Sequence, residues 1–174
     1  MHSEVRALIE HYNLRPLSVE GTLFTSTYRS VQETPDGGPV GTAIIGLYCD
    51  DPPSLSLFHR LPTEEIWHFY GGDSLRLVVL HPDGSSQEVV MGSDVLNGQR
   101  VQFVVPAHSW QAGHLIEGGR YALYGCTMAP GFTGKTFEAG LTADLLTRYP
   151  ERADDIRRLC VSGHDTRMPE GFAV

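Results

Sequence analysis

Three things are scarce in this chain: cysteine, basic charge and long apolar runs. Cysteine occurs only as Cys49, Cys126 and Cys160, an odd count without paired spacing. A disulfide framework and a Cys-type zinc site are therefore not expected, and the thiols read as buried or incidental. That usage fits a reducing cytoplasm, the expected location. Lys and Arg number 13 against 21 Asp and Glu, a formal net charge of -8. Nucleic acid and anionic membrane surfaces, which call for clustered cations, are not expected partners. A local basic pocket remains compatible with that balance. No apolar run approaches the roughly 20 residues that span a bilayer. The opening Met1-His2-Ser3-Glu4 has no basic region followed by an apolar block, so no secretory signal is expected.

What is present suits one domain over residues 1–174, long enough to bury a core. Val5, Leu8, Ile9 and Tyr12 fall on one helical face, predicting a helix over 4–13 that Ser3 caps and that lies outside a sheet. From Gly21 the apolar period becomes two. Strands are expected near 24–29, 42–49, 54–59, 66–70, 75–80, 87–91, 99–105 and 121–128, separated by Gly, Pro and Asp punctuation such as Thr34-Pro35-Asp36-Gly37-Gly38-Pro39. Many short strands at such spacing predict a mainly β antiparallel barrel or jelly roll over about 21–138. Leu141, Leu145, Leu146 and Tyr149 return to helical spacing, so helices are expected over about 142–160. The last dozen residues read as loose.

One segment concentrates chemistry: Phe58-His59-Arg60-Leu61-Pro62-Thr63-Glu64-Glu65-Ile66-Trp67-His68-Phe69-Tyr70. If His59 alternates with Leu55 and Leu57, its ring faces the interior. Glu65, Trp67 and Phe69 then share a face on the next strand. An imidazole beside a carboxylate serves as a metal pair, as an acid–base dyad, or only as a hydrogen-bonded barrel rim. His68 and Tyr70, on the opposite parity, read as structural or interface residues. A second cluster follows in Val105-Pro106-Ala107-His108-Ser109-Trp110-Gln111. There a strand ends in Pro and a polar turn either folds His108 and Gln111 over a barrel mouth or lies on the surface.

These residues resemble the cupin-5 domain, a cupin group of unknown function similar in fold to deoxysugar-nucleotide 3,5-epimerases. The resemblance rests on Gly41-Thr42-Ala43-Ile44-Ile45, on Leu57-Phe58-His59-Arg60 with Glu64-Glu65-Ile66-Trp67-His68-Phe69-Tyr70, and on Val105-Pro106-Ala107 with Trp110-Gln111. It continues through Tyr121-Ala122-Leu123, Gly125-Cys126-Thr127, Ala129-Pro130-Gly131-Phe132 and Phe137-Glu138. It implies a double-stranded β-helix with one polar pocket. The general cupin metal pattern is incompletely met. Leu57 stands where a paired His is usual, and Gln111 stands where a later His is usual. No cofactor is therefore expected; a divalent metal, if bound, would use His59, Glu65 and Gln111. The chain also departs from its own group at Leu17-Ser18-Val19-Glu20-Gly21, at Ser26 and at His108, which points to a different ligand.

The expected function is binding of a small molecule, with chemistry of isomerase, epimerase, cyclase or lyase type. His59 is expected to be the acid or base, Glu65 to orient it, and His108 to be the partner acid. Trp67, Phe69, Phe103, Trp110 and Gln111, with Ser26 and Tyr28 of the first strand, are expected to line the pocket. A non-catalytic binding or sensing cupin and a metal-dependent oxygenase or decarboxylase are the alternatives. The resemblance implies a homodimer that covers its sheet edges.

Overall fold

The computed structural model describes residues 1–161, 163 and 166–172. Ser3–Tyr12 forms helix α1, with His2 rather than Ser3 at the N-cap. Strands β1 (Arg15–Pro16), β2 (Leu23–Arg29), β3 (Thr42–Cys49), β4 (Ser56–Arg60), β5 (Glu65–Gly72) and β6 (Leu75–Leu80) follow. Next come β7 (Ser86–Met91), β8 (Gln102–Val105), β9 (Trp110–Leu115), β10 (Tyr121–Met128) and β11 (Glu138–Ala139), then helices α2 (Thr142–Arg148) and α3 (Ala153–Leu159).

The strands build two antiparallel sheets, ordered β1-β2-β3-β10-β5-β8 and β11-β4-β9-β6-β7. This is the mainly β jelly-roll architecture that the sequence predicts. Alternation sorts the side chains. On β3, Tyr48 enters the barrel interior beside Trp67, Leu77, Val79, Phe103 and Tyr124. Its neighbours Leu47 and Cys49 face outward and receive Val5, Leu8 and Ile9 of α1. On β6, Leu77 and Val79 face inward, whereas Val78 and Leu80 meet Leu145, Tyr149, Ile156 and Leu159 of the C-terminal helices and their connection. Burying one such aliphatic side chain contributes about 1.5–3 kcal/mol, so the two helical covers hold the sheets in place.

Two expectations change here. The polar turn of the second cluster ends at Ser109, and Trp110–Leu115 is a central strand of the second sheet. Its sequence lacks a clean alternation because the barrel interior covers one face and α2 and α3 cover the other. The C-terminal tail is not loose throughout. The Thr166 carbonyl accepts the Ala139 N–H, Arg167 donates to the Phe137 carbonyl, and Met168 is buried. Residues 162, 164, 165, 173 and 174 of that expectation lie outside the described residues. Among the described residues no helix is long and apolar enough to cross a membrane.

Candidate functional site

His59 reaches the interior by a route that simple alternation does not give. The β4–β9 register shifts between Ser56 and His59. Ser56 points inward, the bulge absorbs the odd spacing, and His59 points inward again. Phe58 between them packs under the C-terminal helices. Leu55 and Leu57, expected to share the His59 face, are only partly buried.

The His59 ring is fully oriented. Its Nδ1 lies 2.8 Å from the Leu57 carbonyl. A carbonyl only accepts, so Nδ1 carries the proton and donates. One face of the ring stacks on Phe137 at 5.3 Å between centroids. The remaining atom, Nε2, lies 3.9 Å from Glu20 Oε2. His59, Glu20 and Glu65 share the wall of a cavity of about 30 Å³, together with Cys126 and the apolar side chains Leu17, Ile44, Leu61, Met128 and Phe132. That volume admits water rather than a larger molecule.

Glu20 was not among the expected site residues. It belongs to the turn before β2, within the Leu17-Ser18-Val19-Glu20-Gly21 stretch where the sequence departs from its group. Val19 at φ 68° and Gly21 at φ 100° bend that turn, and only glycine takes the second conformation without strain. The Leu57 N–H donates to the Glu20 carbonyl at 2.9 Å, which pins the turn onto β4. Ser56 Oγ donates to Glu20 Oε1, and the Tyr48 hydroxyl donates to Ser56 Oγ, both at 2.6 Å. Gly113 leaves room for that phenol: a Cβ there would stand 2.4 Å from the Tyr48 oxygen. The usable sequence signal was a lone Glu ahead of a turn glycine on an otherwise apolar approach to the barrel.

Glu65 is held by a different chain. Trp67 Nε1 donates to Gln111 Oε1 at 2.8 Å, and Gln111 Nε2 donates to Glu65 Oε2 at 2.7 Å. The indole can only donate, so it fixes which way the amide faces. These bonds tie β5 of one sheet to β9 of the other across the interior. Burial is the largest influence on Glu65 and raises its pKa; His59 opposes that shift and Glu20 adds to it. Burial also pushes the Cys126 thiol, which hydrogen-bonds to Glu65, well above its ordinary value. That thiol is an inert part of the wall.

The expected pairing is therefore redrawn. Glu65 shares the cavity with His59, but the Leu57 carbonyl orients the ring and Glu20 is the carboxylate beside Nε2. His108 lies outside the cavity, exposed on the Pro106–Ser109 side of β9 with φ 63° and its N–H on the Leu61 carbonyl. Ser26 and Tyr28 are exposed on β2, which stays paired with β3 as far as Arg29 but is paired with β1 only at Leu23 and Phe24. Trp67, Phe69 and Phe103 pack in the barrel core, with Trp67 stacked on Tyr124. Trp110 faces the C-terminal helices, under the Arg60 guanidinium at 4.6 Å. Gln111 is buried beside the site and acts on Glu65. His68 lies on the outer face and bonds Thr127 Oγ1 at 2.9 Å.

Residues 6–140 match the family described as Cupin superfamily (DUF985), the cupin-5 group. The chain belongs to that family. Two solved structures resemble this cupin over nearly its whole length. A protein from Shewanella oneidensis is 29% identical with a TM-score of 0.82, covering 94% of this chain and 99% of its own. A hypothetical protein from Leishmania major is 24% identical with a TM-score of 0.80, covering 93% and 100%. Oxalate decarboxylase from Bacillus subtilis is 14% identical with a TM-score of 0.53 over 88% of this cupin and 38% of its own chain, a likeness of fold. Among curated proteins, none is similar enough to match.

The cupin metal pattern can now be tested on the donors themselves. Gln111, which stands at the later His position, has its only good ligand atom taken by the Trp67 indole. Its amide nitrogen occupies a Glu65 oxygen. Among the described residues no group of three or more His, Cys, Asp and Glu is disposed to hold a metal ion. The residues present do not fit a metal centre made from His59, Glu65 and Gln111.

Proposed function

We propose that this cupin is an acid–base enzyme acting on a small organic molecule, moving a proton in a reaction of isomerase, epimerase, cyclase or lyase type. One observation carries the reading: His59 lines a small cavity with two carboxylates, its Nδ1 tied to the Leu57 carbonyl and its Nε2 beside Glu20. With Nδ1 protonated, neutral His59 offers the Nε2 lone pair as a general base. The imidazolium formed by accepting a proton sits beside Glu20 Oε2. Glu65, whose raised pKa favours the protonated carboxyl, is the acid that returns a proton. The apolar wall keeps bulk water from competing.

The test is deuterium exchange. Wild-type protein in D2O is incubated with small carbonyl compounds, and loss of an α C–H signal is followed by proton NMR. Wild type is expected to exchange at least one of them, and His59→Gln to slow that exchange about 10²–10⁴-fold, the usual worth of a positioned base. Unchanged exchange in His59→Gln ends the mechanism. A second reading, a non-catalytic binding cupin, uses the same polar wall to hold a ligand without moving a proton. It is favoured if a ligand binds and returns unaltered. Under either reading we propose a homodimer that covers its sheet edges; β8 ends its sheet, and Val101 and Val104 stand exposed there. A monomer by light scattering at micromolar concentration counts against that pairing.

A further inference from the structure

A second and much larger cavity, about 750 Å³, adjoins the titratable one. Its volume lies in the range of small-molecule sites. The two share a partition. Leu61 and Phe132 wall the inner cavity, and their chain neighbours Pro62, Gly131 and Thr133 wall the outer groove. Met168 and Phe172 line the groove and pack against Leu17 and Phe132, which line the inner cavity. The floor of the groove is thus the roof of the His59 cavity.

The charge of the groove runs against that of the chain. Arg29, Lys135 and Arg167 line it, three of the thirteen Lys and Arg. Asp36 and Glu170 line it too, two of the twenty-one Asp and Glu. Among the described residues its lining therefore carries one more cationic than anionic side chain, on a molecule of net charge -8. Lys135 and Arg167 are exposed and join no ion pair among the described residues. Arg167 donates from Nη1 to the Phe137 carbonyl at 3.1 Å, which steadies the guanidinium and leaves its other donors for a ligand. The other walls include Pro39, Pro130, Pro169, Met168 and Phe172, a rigid apolar lining.

We propose that this groove binds a small organic anion, a carboxylate or phosphate group on an apolar skeleton, with Lys135 and Arg167 on the anionic group. The skeleton lies along the proline and Phe172 walls. This deepens the acid–base reading and rests on it in one respect: the end of the molecule away from the anion is the end that meets His59. That step needs Met168 and Phe172 to part from Phe132.

The probes are phenyl phosphate, benzoate and neutral benzyl alcohol, titrated calorimetrically into wild type, Lys135→Gln, Arg167→Gln and the control Arg6→Gln. At least one anion is expected to bind wild type and the control alike. Each groove variant is expected to weaken it about tenfold or more, the loss of one charge-assisted hydrogen bond. A preference for phenyl phosphate or for benzoate tells a phosphate ligand from a carboxylate. Equal binding of benzyl alcohol, affinity indifferent to both groove variants, or no anion binding at all overturns the proposal. His59→Gln is expected to bind the anion normally. Anion binding that depends on Lys135 and Arg167 without deuterium exchange by wild type removes the acid–base reading and leaves the groove standing.

Discussion

His59 and Glu20 are joined twice. Their side chains approach to 3.9 Å, and Leu57 links them through the backbone, donating to the Glu20 carbonyl and accepting from the His59 ring. The carboxylate is thus placed by the same strand that places the imidazole. Glu20→Gln keeps an oxygen for the Ser56 hydroxyl and removes the charge beside Nε2. Proton exchange is expected to fall about 10²-fold with little change in KM, measured on whichever carbonyl compound wild type exchanges. A change in KM alone would make Glu20 a binding group.

Glu65 makes stability depend on pH in a set direction. Burial raises its pKa in the folded protein, so the folded state keeps a proton that the unfolded state releases near its ordinary value of about 4.3. Between the unfolded and folded values the unfolded state binds fewer protons, and stability falls as pH rises. Its favourable contribution is complete below the unfolded value and gone above the folded one. Glu65→Gln is expected to flatten that fall and to raise Tm above wild type at neutral pH. Thermal melts of both proteins across pH 4–9 check this; parallel curves contradict it.

Trp67→Phe removes the one N–H that fixes the Gln111 amide. A buried amide oxygen is left without its donor, at a cost of about 1–3 kcal/mol in urea unfolding. Glu65 also loses a fixed partner, so exchange is expected to slow beyond what stability explains. Gly113→Ala attacks the other chain, because its Cβ collides with the Tyr48 oxygen. The expected cost is about 1–3 kcal/mol, as for other overpacked cores.

The architecture was legible because alternation and turn residues state it directly: β2, β3, β5, β6, β7 and β10 each lie within or close to their expected spans. β9 was not, since a strand covered on both faces carries no alternation. His59 was correctly expected to face inward, though by way of a bulge that no periodicity reveals. Glu20 was missed because its importance comes from Leu57 and Ser56, some 36 residues away along the chain. His108 was over-read: its place beside Pro106 suggested a folded-back turn, whereas the chain enters β9 at once and leaves the ring outside.

His108→Asn therefore separates the two pictures. Asn tolerates the positive φ at that position. Proton exchange and Tm are expected to match wild type closely. Loss of exchange with intact Tm would bring His108 back into the site.

The most direct test of the central claim is the tautomer of His59, read from long-range proton–nitrogen NMR correlations of the imidazole at alkaline pH. The account predicts a protonated Nδ1 held on the Leu57 carbonyl and a free Nε2 lone pair on the Glu20 side of the ring. A proton on Nε2 with Nδ1 bare would contradict it, because His59 would then offer the cavity no lone pair to accept a proton.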